Sequence, residues 1–117
     1  MNADKLTQKV TEALGAAQSL TAENNQQGIE LAHLMVALLR QKGGVVLPLL
    51  EHIGAAPELL DKAFMAEIGQ FPRVSGGEPY VTQSLSAALA LAQRHADQLN
   101  DDYVSTEHLL LAATESL

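Results

Sequence analysis

The sequence VSTEHLLLA, residues 104–112, follows the pattern of IELAHLMVA, residues 29–37, which lies 75 residues earlier in the chain. The same offset, applied without a gap, places residues 6–42 on residues 81–117 and pairs His33 with His108. Ten of these 37 positions are identical, and the apolar positions keep their phase between the identities. Duplication of one structural unit is the simplest explanation of this pattern.

Each copy begins with a segment of helical period. Apolar residues recur at steps of three and four, which places one apolar stripe on one helical face. They are Leu6, Val10, Ala13, Leu14, Ala17 and Leu20 in copy one, and Val81, Leu85, Ala88, Leu89, Ala92, Ala96 and Leu99 in copy two. Thr7 and Thr82 stand just before these helices, and we predict that the hydroxyl of each caps an unpaired backbone amide.

The remaining elements follow from turn and cap residues. The second helix of each copy is predicted to start near Glu30 or Ser105. In copy one, residues 45–53 predict a short third helix, and Pro57 opens a fourth that ends near Gly69. The sequence therefore predicts an all-α fold of two pseudo-symmetric helical repeats. Repeat one covers residues 1–70, a linker rich in proline and glycine covers 71–80, and repeat two, 81–117, is incomplete because it lacks the last two helices.

Composition narrows the class of protein. The chain has 117 residues, 47% of them hydrophobic, which is enough for one domain with one core. It contains no cysteine, so disulfide scaffolds and thiolate metal sites are excluded. A net charge of -7 makes nucleic acid a poor partner. No apolar run approaches the ~20 residues of a membrane helix, so we expect a soluble, cytoplasmic protein without membrane contacts.

The sequence offers no catalytic or cofactor motif. It lacks the G-x-x-x-x-G-K-[ST] pattern that binds nucleotide phosphates and the G-x-S-x-G elbow of hydrolases, and Ser75 lies in the linker. Glu30 and His33 have the spacing of two metal ligands on one helical face. Copy two has Ser105 in place of the glutamate, so the repeat does not assemble a paired site. We expect no catalytic residue, cofactor or metal in this domain.

Several motifs together resemble the N-terminal domain of Clp-family ATPases, and most closely the ClpB type, a protein disaggregase. The motifs are DKLT at 4–7, AQSL at 17–20, Gly43-Gly44 with PLLE at 48–51, PRVSG at 72–76, and DYVSTEHLLLA at 102–112. They cover essentially the whole chain in order. Such domains normally complete the second repeat with two further helices, which this sequence lacks.

The resemblance implies a function. Domains of this family recognise unfolded or aggregated polypeptide in an apolar groove between the repeats, and hand it to ATPase modules that bind the ATP and belong to a hexameric parent chaperone. The alternative is a docking domain for adaptor proteins of an unfoldase coupled to a protease. The resemblance associates the positions of Thr7, Asp101 and Glu107 with substrate handling. We extend the predicted substrate-binding set to Thr82 and Leu89.

These polar residues also have structural interpretations, which the sequence leaves open. Thr7 can act as a helix cap alone. Glu107 lies in the first turn of its helix, where its charge stabilises the helix dipole. Asp101 can be an ordinary turn residue. His33 and His108 occupy equivalent positions in both copies, so we predict that both are structural and hydrogen-bonded to a neighbouring loop.

Overall fold

The computed structural model describes residues 3–74 and 76–116, so residues 1 and 117, the predicted outer limits of the repeats, and Ser75 lie outside it. Within the described ranges the chain forms six α-helices, one 3-10 turn and two strands of two residues each. In chain order they are the turn Ala3–Lys5, α1 (Gln8–Glu23), β1 (Gly28–Ile29), α2 (Leu31–Arg40), α3 (Val46–His52), α4 (Pro57–Ile68), β2 (Tyr80–Val81), α5 (Gln83–Gln98) and α6 (Thr106–Ser116). The predicted all-α class is confirmed.

The helix boundaries follow the local rules that predicted them. Pro57 is the first residue of α4, where a proline loses no helical hydrogen bond. Gly54 separates α3 from α4 with a φ of 83°, a left-handed conformation that favours glycine. None of the helices in residues 3–74 and 76–116 is long and apolar enough to cross a membrane.

Helix α2 is the centre of the core. All nine residues from 31 to 39 are buried, because α2 is in contact with each of the other five helices. A helix that is apolar on all sides is stable only when it is covered on all sides. Its counterpart α6 is covered less completely and exposes Glu107 and Leu111 at the positions that correspond to the buried Ala32 and Val36.

The two repeats interlock through a reciprocal exchange of backbone pairs. Val81 in β2 pairs with Ile29 in β1, and Leu6 pairs with Val104, both in parallel. Leu6 and Val81 are 75 residues apart, as are Ile29 and Val104, so the segment before the first helix of each repeat pairs with the other repeat. The sequence did not predict these strands, because two residues are too few to show a period-two pattern.

A second correspondence between the repeats lies in the loops after α1 and α5. Asn25 and Asn100 both have positive φ values, 56° and 59°. Asparagine tolerates this left-handed conformation better than most residues. The identity of the two residues in the sequence therefore has a backbone reason, and it supports the duplication.

Candidate functional site

Thr7 and Thr82 lie at the two places where the repeats cross. At the first crossing the backbone amide of Thr7 donates to the Val104 carbonyl over 3.1 Å, and at the second the amide of Thr82 donates to the Ile29 carbonyl over 3.2 Å. The Thr7 hydroxyl accepts a bond from the Val10 amide at 3.3 Å. Thr7 is thus the predicted N-cap of α1.

The prediction that the Thr82 hydroxyl caps its own helix is wrong. Thr82 occupies the N-cap position of α5, but its side chain makes no capping bond. Its Oγ1 lies 3.0 Å from the Ile29 carbonyl oxygen and 3.1 Å from Oε1 of Glu30, and Ser84 donates to the same Glu30 oxygen over 2.8 Å. These acceptors belong to the other repeat, so tertiary contact replaces the local cap.

The two equivalent histidines are held by matching brackets, as predicted. In repeat one the amide of Glu30 donates to Nδ1 of His33 at 2.9 Å, which leaves Nε2 to donate to Oε1 of Gln26 at 2.8 Å. In repeat two the Ser105 amide donates to Nδ1 of His108 at 2.8 Å, and Nε2 lies 2.8 Å from Oδ2 of Asp101. Both ring nitrogens of each histidine are engaged within the chain.

The bracket in repeat one continues into the core. Nε2 of Gln26 donates to the Ile68 carbonyl at the end of α4, over 2.7 Å. His33 is fully buried, and this burial lowers the pKa of its imidazole against a smaller opposing effect of the Glu30 carboxylate. The described residues hold no group of three or more His, Cys, Asp or Glu side chains that could bind a metal.

We expect the free energy of unfolding to fall as the pH drops below about 6.5. In that range a histidine of the unfolded chain binds a proton that the buried His33 does not, so protonation favours the unfolded state. Urea unfolding at about pH 7.5, 6.5 and 5.5 measures this dependence. His33→Gln should flatten it, whereas His52→Gln, at an exposed position outside the bracket, should not. Equal pH dependence in His33→Gln and the wild type would contradict the assignment.

Asp101 and Glu107 share a shallow, open depression of about 360 Å³ in repeat two. It is also lined by Asp102, Tyr103, Ser105 and His108. Both carboxylates are exposed, and Asp101 is tied to His108 by the bracket. Thr7 lies beside this depression, because its backbone bonds to Val104.

The five predicted residues therefore do not form one site. Thr7, Asp101 and Glu107 gather at the first crossing, while Thr82 lies at the second. Leu89 is half-buried in α5, where it packs against the core.

A depression of about 230 Å³ does lie between the repeats, near the second crossing. Its apolar lining is Leu31, Ala32, Phe64 and Phe71, with Glu30, Glu67, Ser84 and Ser116 around them. We call it the inter-repeat depression. None of the five predicted residues lines it, although Thr82 lies within hydrogen-bond distance of Glu30 and Ser84.

A larger groove, of about 550 Å³, lies within repeat one between α1 and α2. It is lined by Glu12, Ala13, Ala16, Ser19, Leu20 and Glu23 of α1, by Val36, Ala37 and Arg40 of α2, and by Gln41 and Lys42. Sequence reasoning missed this α1–α2 groove. The feature that could have revealed it is the difference between the copies, since Ala16 corresponds to the larger Leu91.

Two interlocked helical repeats, with open depressions at and between them, define a duplicated helical domain. The chain belongs to the Clp repeat N-terminal domain family, Clp_N, which matches residues 5–116. It is 38% identical over 120 residues to the chaperone protein ClpB of Nitratidesulfovibrio vulgaris. That match covers 98% of this chain and 14% of the relative, so the chain spans about one seventh of the length of that protein. The resemblance seen in the sequence is confirmed.

Solved structures of Clp N-domains share the fold. The N-terminal domain of the ClpV1 ATPase from the E. coli EAEC Sci1 T6SS gives a TM-score of 0.87 at 26% identity, over 96% of this chain and 69% of that one. The ClpV N-domain in complex with a VipB peptide gives 0.81 at 22% identity, over 94% and 68%.

Proposed function

We propose that this chain is the substrate-recognition domain of an ATP-dependent protein disaggregase and that it binds unfolded or aggregated polypeptide. The inter-repeat depression is the observation that carries the proposal. Its apolar floor suits an exposed Leu or Phe side chain, and its two glutamates, Glu30 and Glu67, favour basic residues beside that side chain. An unfolded client exposes such side chains, whereas a folded protein buries them.

The shape of the depression suits weak binding. A volume of about 230 Å³ receives only one or two side chains of a client, so most of the client remains in solvent. Each bound residue also loses conformational entropy, which offsets part of the gain from burial. A domain that must pass its client onward requires reversible binding of this kind.

The proposed division of labour leaves chemistry to the rest of the parent protein. In the described residues the polar side chains at the crossings bond to one another and to the backbone, and we assign them no catalytic role. ATP binding and hydrolysis, and assembly into a hexamer, are assigned to modules outside this chain. Thr7, Thr82, Leu89, Asp101 and Glu107 remain proposed contact residues at the edges of the recognition surface.

The proposal predicts weak binding of a permanently unfolded protein. Reduced, carboxymethylated α-lactalbumin, titrated into the isotopically labelled chain, should shift amide resonances around Phe64, Glu67 and Ser84. Native α-lactalbumin should not shift them, since its apolar side chains are buried. Glu67→Lys should weaken binding of an apolar peptide with lysine residues. Glu58→Lys, the same change at another exposed position of α4, should not. Absence of any shift with the unfolded protein would refute the proposed function.

A second candidate function is the docking of an adaptor or other folded partner. It is favoured by the ClpV N-domain, which has this fold and was solved with a VipB peptide. The two candidates differ in the state of the ligand: a disaggregase domain prefers an unfolded chain, and a docking domain prefers a defined peptide of one sequence. Competition between the unfolded protein and a defined peptide for the same shifted amides separates them.

A further inference from the structure

The α1–α2 groove is open in repeat one and bridged at the equivalent place in repeat two. Leu91 stands where repeat one has Ala16, and His95 and Glu115 stand where it has Leu20 and Arg40. Nε2 of His95 lies 2.9 Å from Oε1 of Glu115, so side chains of α5 and α6 meet across the gap between the two helices.

Repeat one lacks this bridge because its α2 residue is held elsewhere. Arg40 donates from Nε and Nη2 to the two carboxylate oxygens of Asp61 in α4, at 2.8 and 2.9 Å. Ala16 and Ser19, on the α1 side, are too short to reach across. The two copies of one unit have therefore diverged at this groove.

The walls of the groove restrict the conformation of what can bind there. Both walls are helices, and a helix uses its backbone amides and carbonyls internally. A segment lying between them finds no free backbone partners, so it must satisfy its own, as a helix does. Glu12 and Glu23, eleven residues apart on α1, mark a length of roughly 16 Å, which is about three turns of a bound helix.

Charge gives the groove a direction. At one end Glu23 lies near Arg40, which is already paired with Asp61, so this end carries one net negative charge. At the other end Nζ of Lys9 lies 3.6 Å from Glu12 and donates to the carbonyl of Lys42, so this end carries one net positive charge. A helix with an acidic first turn and a basic last turn matches these ends, and that pattern also stabilises the bound helix itself.

We propose that the α1–α2 groove binds a short amphipathic helix of a partner polypeptide, about three turns long. The helix lies with its apolar face on Ala13, Ala16 and Val36, its acidic N-terminal turn near Lys42 and its basic C-terminal turn near Glu23. This surface is separate from the inter-repeat depression. The inference rests on the proposed function only in that both make the chain a polypeptide-binding domain.

The test uses a fluorescently labelled, end-capped peptide of about 14 residues, built from alanine and leucine with a glutamate near its N-terminus and a lysine near its C-terminus. A second peptide has the glutamate and the lysine exchanged. Anisotropy titration should show about three- to tenfold tighter binding of the first peptide. The double variant Glu23→Lys with Lys42→Glu should reverse that preference, and both changes are at the surface.

Ala16→Leu copies the residue of repeat two and should weaken binding of the first peptide at least tenfold. Ala16 is exposed, so the substitution should leave the fold intact. Ala90→Leu, the same change at an exposed position of α5, is the matched control and should bind as the wild type does.

Two results would overturn the inference. One is unchanged affinity in Ala16→Leu. The other is amide shifts that map to the depression of Asp101 and Glu107 instead of to α1 and α2. If neither peptide binds while unfolded α-lactalbumin does, the groove assignment fails and the proposed function stands. If the peptide binds and the unfolded protein does not, the proposed disaggregase role fails and the groove assignment stands.

Discussion

Leu34→Ala is expected to lower the free energy of unfolding by about 3 to 5 kcal/mol. Leu34 has no solvent exposure and lies in the middle of α2, the helix that contacts all the others. Truncation leaves a cavity that neither repeat can close, because both pack against this helix. Urea unfolding followed by far-UV circular dichroism measures the loss.

Two further variants make the Leu34 result specific. Leu34→Met conserves volume and should cost less than about 1.5 kcal/mol. Leu99→Ala, at a side chain that is 61% exposed, should change stability by no more than about 0.5 kcal/mol. A loss below about 1 kcal/mol in Leu34→Ala would mean that α2 is not the shared core of the two repeats.

Gln26→Ala is expected to cost about 2 to 5 kcal/mol, since it leaves two buried groups without partners at about 1 to 3 kcal/mol each. The groups are Nε2 of His33 and the carbonyl of Ile68, which the Gln26 amide joins at 2.8 and 2.7 Å. The same substitution in the other bracket should be mild. Asp101 is half-exposed, so in Asp101→Ala water can replace its bond to His108, at a cost below about 1 kcal/mol.

Thermal and urea unfolding of the two alanine variants, side by side, measure this difference. Equal losses would show that the brackets of the two repeats have the same weight and that the link from Gln26 to the end of α4 contributes nothing. A larger loss in Asp101→Ala would contradict the burial argument altogether.

Local features were predictable from the sequence because their causes are local. Thr7 caps α1 with its own hydroxyl, Pro57 opens α4, and Gly54 stops α3 in a left-handed conformation. Each depends on neighbours within about four residues. The structural role of His33 and His108 was also predictable, because chemistry specific to one site would not be expected at both copies.

The candidate surfaces were not predictable in the same way. The sequence led to Leu89 as a contact residue, but the structure packs it against the core, and the apolar floor between the repeats is formed by Leu31, Phe64 and Phe71 instead. Phe64 and Phe71 belong to α4 and to the loop after it. Neither has a counterpart in repeat two, so comparison of the copies could not place them.

The sequence alone determined the phase of the apolar stripes, the caps, the duplication and the family. All of these depend on spacing along the chain, which the sequence displays directly. Only the tertiary structure decided which groups meet across the repeats, such as Leu6 with Val104 and the Thr82 hydroxyl with Glu30. It also decided that the α1–α2 groove stays open, because Arg40 bonds to Asp61 in α4 instead of crossing to α1. Contacts between residues this far apart depend on how complete helices pack, and no local pattern encodes that.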